Sequence, residues 1–246
     1  MGSVIAVLSG KGGTGKTSVC AGIAVALSGD GKRVLCIDCD VGLRNLDISL
    51  GLTDSGALSF RDVSEGGYPL EQAAAHPFHE NLSFLTAPMN CRVDQLDQDA
   101  FYRMLRTARG MFDYILLDAP AGVEDGFHLA ASAADRFIVV TGSGPAAVRD
   151  AARVGEILEL AGKSDVRILV NRVDRTMLSI LDQTIDDVMD AAGLPLLGVV
   201  LEDPDVPMAA SSGMSLQRYN KRSSAAKSFR RIAKRIQGYP EPIKIR

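Results

Sequence analysis

Residues 10–17 read GKGGTGKT, which satisfies G-x-x-x-x-G-K-[ST] at every constrained position. An apolar run, residues 4–8, precedes the octet, and a run with helical apolar spacing, residues 18–27, follows it. A strand that aims a glycine-rich turn at a helix N-terminus gathers backbone N–H groups and the positive end of the helix dipole at one point, an arrangement suited to a polyphosphate. Gly10, Gly12, Gly13 and Gly15 allow close backbone approach and positive φ, and Thr14 and Ser18 belong to the same cradle. Lys16 is placed to reach the β- and γ-phosphates of ATP, and the Thr17 hydroxyl to ligate Mg²⁺ bridging them. Lys11 is the unusual member, one residue after the first glycine, where loops of this kind accept almost anything. Beside Lys16 a second cation on the same phosphates is redundant. Lys11 is therefore expected to act across a dimer interface, stabilising transition-state charge in the neighbouring site as an arginine finger does. A solvated loop lysine is the plainer alternative.

Acids at strand ends supply the other candidates. Residues 33–40, RVLCIDCD, read as a buried strand with Asp38 and Asp40 at its C-terminal end. Ligands of open parallel sheets lie beyond strand C-termini, so both carboxylates should face the phosphates. Asp40 is expected to hold the attacking water in line and Asp38 to stand nearer the metal shell; either could instead be a turn aspartate capping the next segment. Residues 112–118, FDYILLD, form a second buried run ending in Asp118, an acid held rigidly near Mg²⁺. The APAG turn that follows brings a backbone N–H at Gly122 to where it can sense a γ-phosphate. Asn171 and Arg172 end the run from residue 166. An asparagine there can pair with adenine edges or simply form a turn. Glu202 and Asp203 open the loop EDPDVP, where backbone groups could grip a nucleobase.

Apolar runs of strand length at residues 82–87, 136–141, 166–171 and 196–201 alternate with helical patterns over 96–109, 146–161, 179–192 and 225–237. This alternation predicts an α/β fold, a doubly wound, mostly parallel sheet flanked by helices on both faces. One domain over residues 1–246 is expected, with 218–246 as a basic C-terminal helix and tail. An apolar fraction of 46% over 246 residues gives core enough without covalent staples. Cys36 and Cys39 form a C-x-x-C, but on a strand residues three apart face opposite sides, which argues against a metal or redox pair. The chain opens on a strand without a basic leader, and no apolar run approaches the roughly 20 residues a membrane span needs, so a soluble cytoplasmic protein is expected. The net charge of −3 is unevenly spread: from Arg218 onward ten Lys or Arg face Glu241 as the single acid, +9 against −12 for the rest. That asymmetry points to an anionic surface, nucleic acid or lipid, unless it is only a solvated basic helix.

The loop KGGTGKT with Lys11, the Asp38-x-Asp40 strand end, the run DCDVGLRNLD of residues 38–47 and the DAPAG turn from Asp118 together resemble the ParA/MinD group of ATPases. The similarity extends to about Gly193 and fades after it. The resemblance implies a homodimer sandwiching two ATP molecules with Mg²⁺, Lys11 reaching into the opposite site, and hydrolysis triggered by a partner. It further implies partners resembling the division regulators MinC and MinE and a peripheral place on the inner face of the cell membrane. A relative that positions plasmids, chromosomes or flagella on DNA or a protein surface is the runner-up, and a nucleotide-locked scaffold with little turnover is the third reading. Two departures stand out. Residues 239–246, YPEPIKIR, lack the amphipathic helix that membrane-binding members carry, and Leu201 stands where the family's Pro-Glu-Asp motif has its proline.

Overall fold

Five continuous apolar runs, at β1 (Ser3–Leu8), β2 (Val34–Asp38), β5 (Tyr114–Asp118), β6 (Arg136–Thr141) and β8 (Leu196–Leu201), form strands buried on both faces, as parallel strands between two helix layers must be. The computed structural model describes residues 1–41, 43–52, 56–89 and 91–243. With β3 (Ala74–Ala75), β4 (Leu82–Leu85) and β7 (Val166–Val173) they make one eight-stranded sheet in the order β3-β4-β2-β5-β1-β6-β7-β8. Every pairing is parallel except that of β3 with β4. The two-residue β3 was not anticipated; only its pairing across to Phe84 and Ser83 defines it.

The helices are α1 (Lys16–Gly29), α2 (Leu46–Leu50), α3 (Phe60–Ser64), α4 (Gln98–Met111), α5 (Asp125–Ala133), α6 (Pro145–Leu160), α7 (Arg175–Ile180), α8 (Ile185–Ala192), α9 (Asp205–Ser211), α10 (Leu216–Asn220) and α11 (Ser224–Ile236). Alternate residues of β1 feed two cores. Val4, Ala6 and Leu8 meet residues of α4, α5, α6 and α8, while Ile5 and Val7 meet α1, α10 and α11. The same alternation sends Cys36 into one core and Cys39, just past the end of β2, into the other. The expected opposition of that pair is what the sheet produces.

Helices α1 and α11 pack tightly, since the fully buried Phe229 ring lies against Gly22 so closely that a Cβ at Gly22 would stand 2.4 Å from it. Burying such a ring contributes about 1.5–3 kcal/mol, and it seats α11 on the sheet next to the helix that carries the glycine-rich loop. Lys244 and Arg246 of the basic tail lie outside the described residues.

One expected helix is two. The pattern over residues 179–192 breaks after α7, with Asp182 at φ 49°, and restarts at Thr184, whose hydroxyl and Asp187 form a reciprocal capping box for α8. Ile180 and Leu181, read as part of the apolar face, are instead 69% and 60% exposed. In the EDPDVP stretch only the first residues are loop, because α9 begins at Asp205.

Candidate functional site

Because β5 lies between β2 and β1, the loops leaving their C-terminal ends open side by side, which brings residues 10–17, 38–40 and 118–122 to one edge of the sheet. Gly13 at φ 81° and Gly15 at φ 82° turn the first loop into α1. Helix α1 starts without a side-chain cap and without an acid in its first turn, so its leading N–H groups and dipole face outward unopposed. A Cβ at Gly12, Gly13 or Gly122 would meet open space, and the buried hydroxyl of Thr14 finds no hydrogen-bond partner among the described residues. A concave loop with N–H donors and an orphaned hydroxyl fits a polyphosphate.

The two lysines of the loop have separate environments. Lys16 is 6% exposed and its Nζ donates to Asp118 Oδ1 at 2.6 Å. Burial pulls that amine down, but the adjoining Asp118 carboxylate overrides it and leaves Lys16 above its ordinary value. Lys11 is 43% exposed and lies 3.6 Å from Asp150 in the second turn of α6. Asp150 also crowds Gly10, where a Cβ would stand 2.7 Å from the aspartate Cβ. The placing of Val148-Arg149-Asp150 belongs to the family resemblance, but no spacing rule linked Asp150 to Lys11; the packing of α6 against the loop makes that pair.

Asp38 and Asp118 are register partners on β2 and β5. Asp38 is fully buried, and burial together with the Asp118 charge raises it to about 6, against the pull of three backbone donors. Those donors are Asp40 N at 2.9 Å and Asn45 N and Leu46 N at 3.1 Å, so Asp38 fastens the loop from β2 to α2. Asp40 lies just beyond the strand, half-buried, its carboxyl raised by burial while the Lys16 charge opposes the shift. Thr17, partly exposed in the first turn of α1, and the carboxylate of Asp118 are hard oxygen donors of the kind that would suit Mg²⁺ alongside phosphate and water.

Several expected contacts are already engaged. Gly122, at φ 92°, donates its N–H to Ser9 O at 3.0 Å. Asn171 does not end its strand, since β7 runs on to Val173; its Nδ2 donates to Thr14 O at 2.8 Å and braces the loop from the side. Arg172, at φ 55°, forks onto Glu202 at 2.9 and 3.2 Å and reaches Gly13 O at 3.4 Å. Asp203 caps α11 through Ser224 Oγ at 2.7 Å and Ala225 N at 2.9 Å; its side chain therefore serves the fold. Beside Gly15 and Ser18, a cleft of about 240 Å³ opens between Asn171, Arg172 and Glu202.

A parallel sheet whose first loop cradles anions at a helix N-terminus, with a buried lysine set on a strand-end aspartate, defines a P-loop nucleotide-binding protein. Residues 5–216 match the CobQ/CobB/MinD/ParA nucleotide binding domain family, and the chain belongs to it. It is similar to the septum site-determining protein MinD of Synechocystis, 34% identical over 99% of this chain and 92% of the relative. Its fold is similar to that of MinD in the MinC:MinD cell division protein complex of Aquifex aeolicus, with a TM-score of 0.89, 32% identity and 98% of each chain covered. It is likewise similar to the septum site-determining protein MinD of Pyrococcus horikoshii complexed with Mg-ADP, with a TM-score of 0.84, 31% identity and 96% of each chain covered.

Proposed function

We propose that this chain, acting as one ATPase domain, is a MinD-type switch in division-site placement: it binds ATP with Mg²⁺, dimerises, hydrolyses the nucleotide when a partner stimulates it, and then separates. The observation that carries the reading is the contrast between the two lysines of one loop, Lys16 buried on Asp118 and Lys11 half-exposed at the rim. Lys16 and the N–H groups of α1 neutralise the phosphates of their own site. Thr17, with Asp118 behind it, would hold Mg²⁺, which would supply Lewis-acid stabilisation of charge on the phosphate oxygens. Asp40, in the field of Lys16, holds the attacking water. Lys11 leaves Asp150 and enters the neighbouring subunit's site, so that catalysis needs two copies. Asn171, Arg172 and Glu202 frame the cleft for the base.

The similarity to MinD of the MinC:MinD complex supports a MinC-like partner, and a MinE-like stimulator follows from the same reading. Among the described residues no helix is long and apolar enough to cross a membrane; a peripheral place on the inner face of the cell membrane is proposed with the function. A second reading, attachment to DNA, is favoured by the exposed Lys221, Arg222 and Lys227 at and beyond α10.

Asp40→Ala tests the central claim: turnover is expected to collapse while ATP-dependent dimerisation, read by analytical ultracentrifugation, survives. Wild-type turnover already at background would sink the switch in favour of a scaffold. Co-sedimentation with anionic vesicles and, separately, with duplex DNA at two salt concentrations decides the surface, since DNA binding falls steeply with salt.

A further inference from the structure

Three arginines gather at the end of the sheet opposite the glycine-rich loop. Arg136 is the first residue of β6, Arg167 the second of β7, and Arg235 lies in the last turn of α11. They line one open cleft of about 810 Å³, walled also by Leu196, Ile236 and Tyr239. Arg136 Nε and Arg167 Nε share the two oxygens of Asp165, at 2.9 and 3.2 Å. Arg136 Nη1 donates to Ile236 O at 3.0 Å, and Arg235 donates Nε to Glu241 O and Nη1 to Leu197 O at 2.8 and 2.7 Å. Backbone carbonyls orient the guanidinium groups without cancelling their charge. Asp165 is the one carboxylate that pairs directly with these three cations among the described residues, since the Glu241 side chain faces Lys234 at 3.4 Å and only partly offsets the charge of Arg235. Among the described residues no Nη2 of the three has a hydrogen-bond partner. Burial and then the neighbouring Arg167 charge pull Arg235 below its ordinary value, against the opposing pull of Glu241.

We infer that this cleft is a second anion site, shaped for a phosphate group and separate from the nucleotide loop. Planar guanidinium forks, two of them held by carbonyls and the third by Asp165, that line one cleft can match the oxygens of a phosphate, whereas a scattered surface charge does not. The phosphate can come from a soluble phosphate ester or from a phosphate-bearing lipid headgroup. Tyr239 and Leu196 offer apolar surface beside either.

The test uses the full chain saturated with ADP and Mg²⁺, so that the loop at the other end is filled. Inorganic phosphate is titrated while the arginine Nε–H signals are followed by NMR. The side-chain signals of Arg136, Arg167 and Arg235 are expected to shift together and saturably. Arg167→Gln, at a half-exposed position, is expected to weaken phosphate affinity about tenfold, the effect of losing one charge-assisted contact, and to leave ADP affinity unchanged. Flotation on phosphatidylcholine vesicles containing phosphatidic acid separates the sources: lost binding in Arg167→Gln assigns a lipid headgroup, and unchanged binding assigns a soluble ester. Arginine signals that do not saturate, or equal phosphate affinity in Arg167→Gln and the parent, would overturn the site.

Discussion

Lys11 Nζ rests 3.6 Å from Asp150 Oδ2 of its own chain, with about two-fifths of each side chain open to solvent. An ion pair this exposed contributes about 0–1 kcal/mol, so releasing Lys11 toward a neighbouring phosphate costs little. Asp150 parks the amine without trapping it. Lys11→Ala is expected to abolish ATP-dependent dimerisation and turnover while leaving ADP affinity within about threefold, because Lys16 and α1 hold the nucleotide. Asp150→Asn should leave the monomer's melting temperature nearly unchanged. Ultracentrifugation with and without ATP, together with calorimetric ADP titration, checks both. A Lys11→Ala protein that still dimerised on ATP would end the trans role.

The Lys16–Asp118 pair behaves differently because both partners are buried. Asp118→Ala takes from a buried ammonium its directly bonded counter-charge and leaves the more distant Asp40, and the expected loss is up to about 3–5 kcal/mol of stability. Chemical denaturation of the two proteins without nucleotide gives the number directly. A loss under about 1 kcal/mol would mean that water reaches Lys16 more freely than the geometry allows.

Gly22 is required by the approach of Phe229, not by its backbone angles. Gly22→Ala places a methyl 2.4 Å from the ring, and overpacking of this kind costs about 1–3 kcal/mol. The helix preference for alanine recovers up to about 1 kcal/mol, so net destabilisation is expected. Thermal melts of Gly22→Ala and of the Gly22→Ala, Phe229→Leu double variant check the cause; the second change should restore part of the loss.

Two histidines connect the segment after β3 to α2 and α10. His76 Nε2 meets Leu50 O at 2.8 Å while its Nδ1 accepts from Phe78 N at 3.2 Å, and His79 Nε2 meets Ser215 Oγ at 2.9 Å. Burial, then His76, then Arg218 hold His79 down to about 4. The unfolded chain protonates this group near 6.5 and the folded chain resists until about 4. Stability is therefore intact above 6.5 and falls as pH drops from 6.5 toward 4. His79→Gln is expected to flatten that part of the stability profile, measured by urea denaturation at several pH values. An unchanged slope would show that His79 titrates alike in both states.

Much of the fold was legible because parallel strands buried on both faces leave continuous apolar runs. The expected strand over residues 136–141 coincides with β6, and that over 196–201 with β8. Helix α5 escaped notice: it is short, starts two residues after the APAG turn and has no side-chain cap to mark its start. The α7–α8 break was missed because Ile180 and Leu181 continue an apolar register that the Thr184–Asp187 capping box interrupts.

Local spacing within the chain determined the glycine-rich loop, the acids Asp38, Asp40 and Asp118 at strand ends and the apolar face of α11, since each depends on residues a few positions apart. Only tertiary structure decided that β5 enters between β2 and β1, that Asp150 meets Lys11, that Asn171 braces Thr14, and that Asp203 caps α11. Those relationships join residues up to 157 positions apart, and backbone periodicity carries no information about which distant surface a side chain will meet when two helix layers close over a sheet.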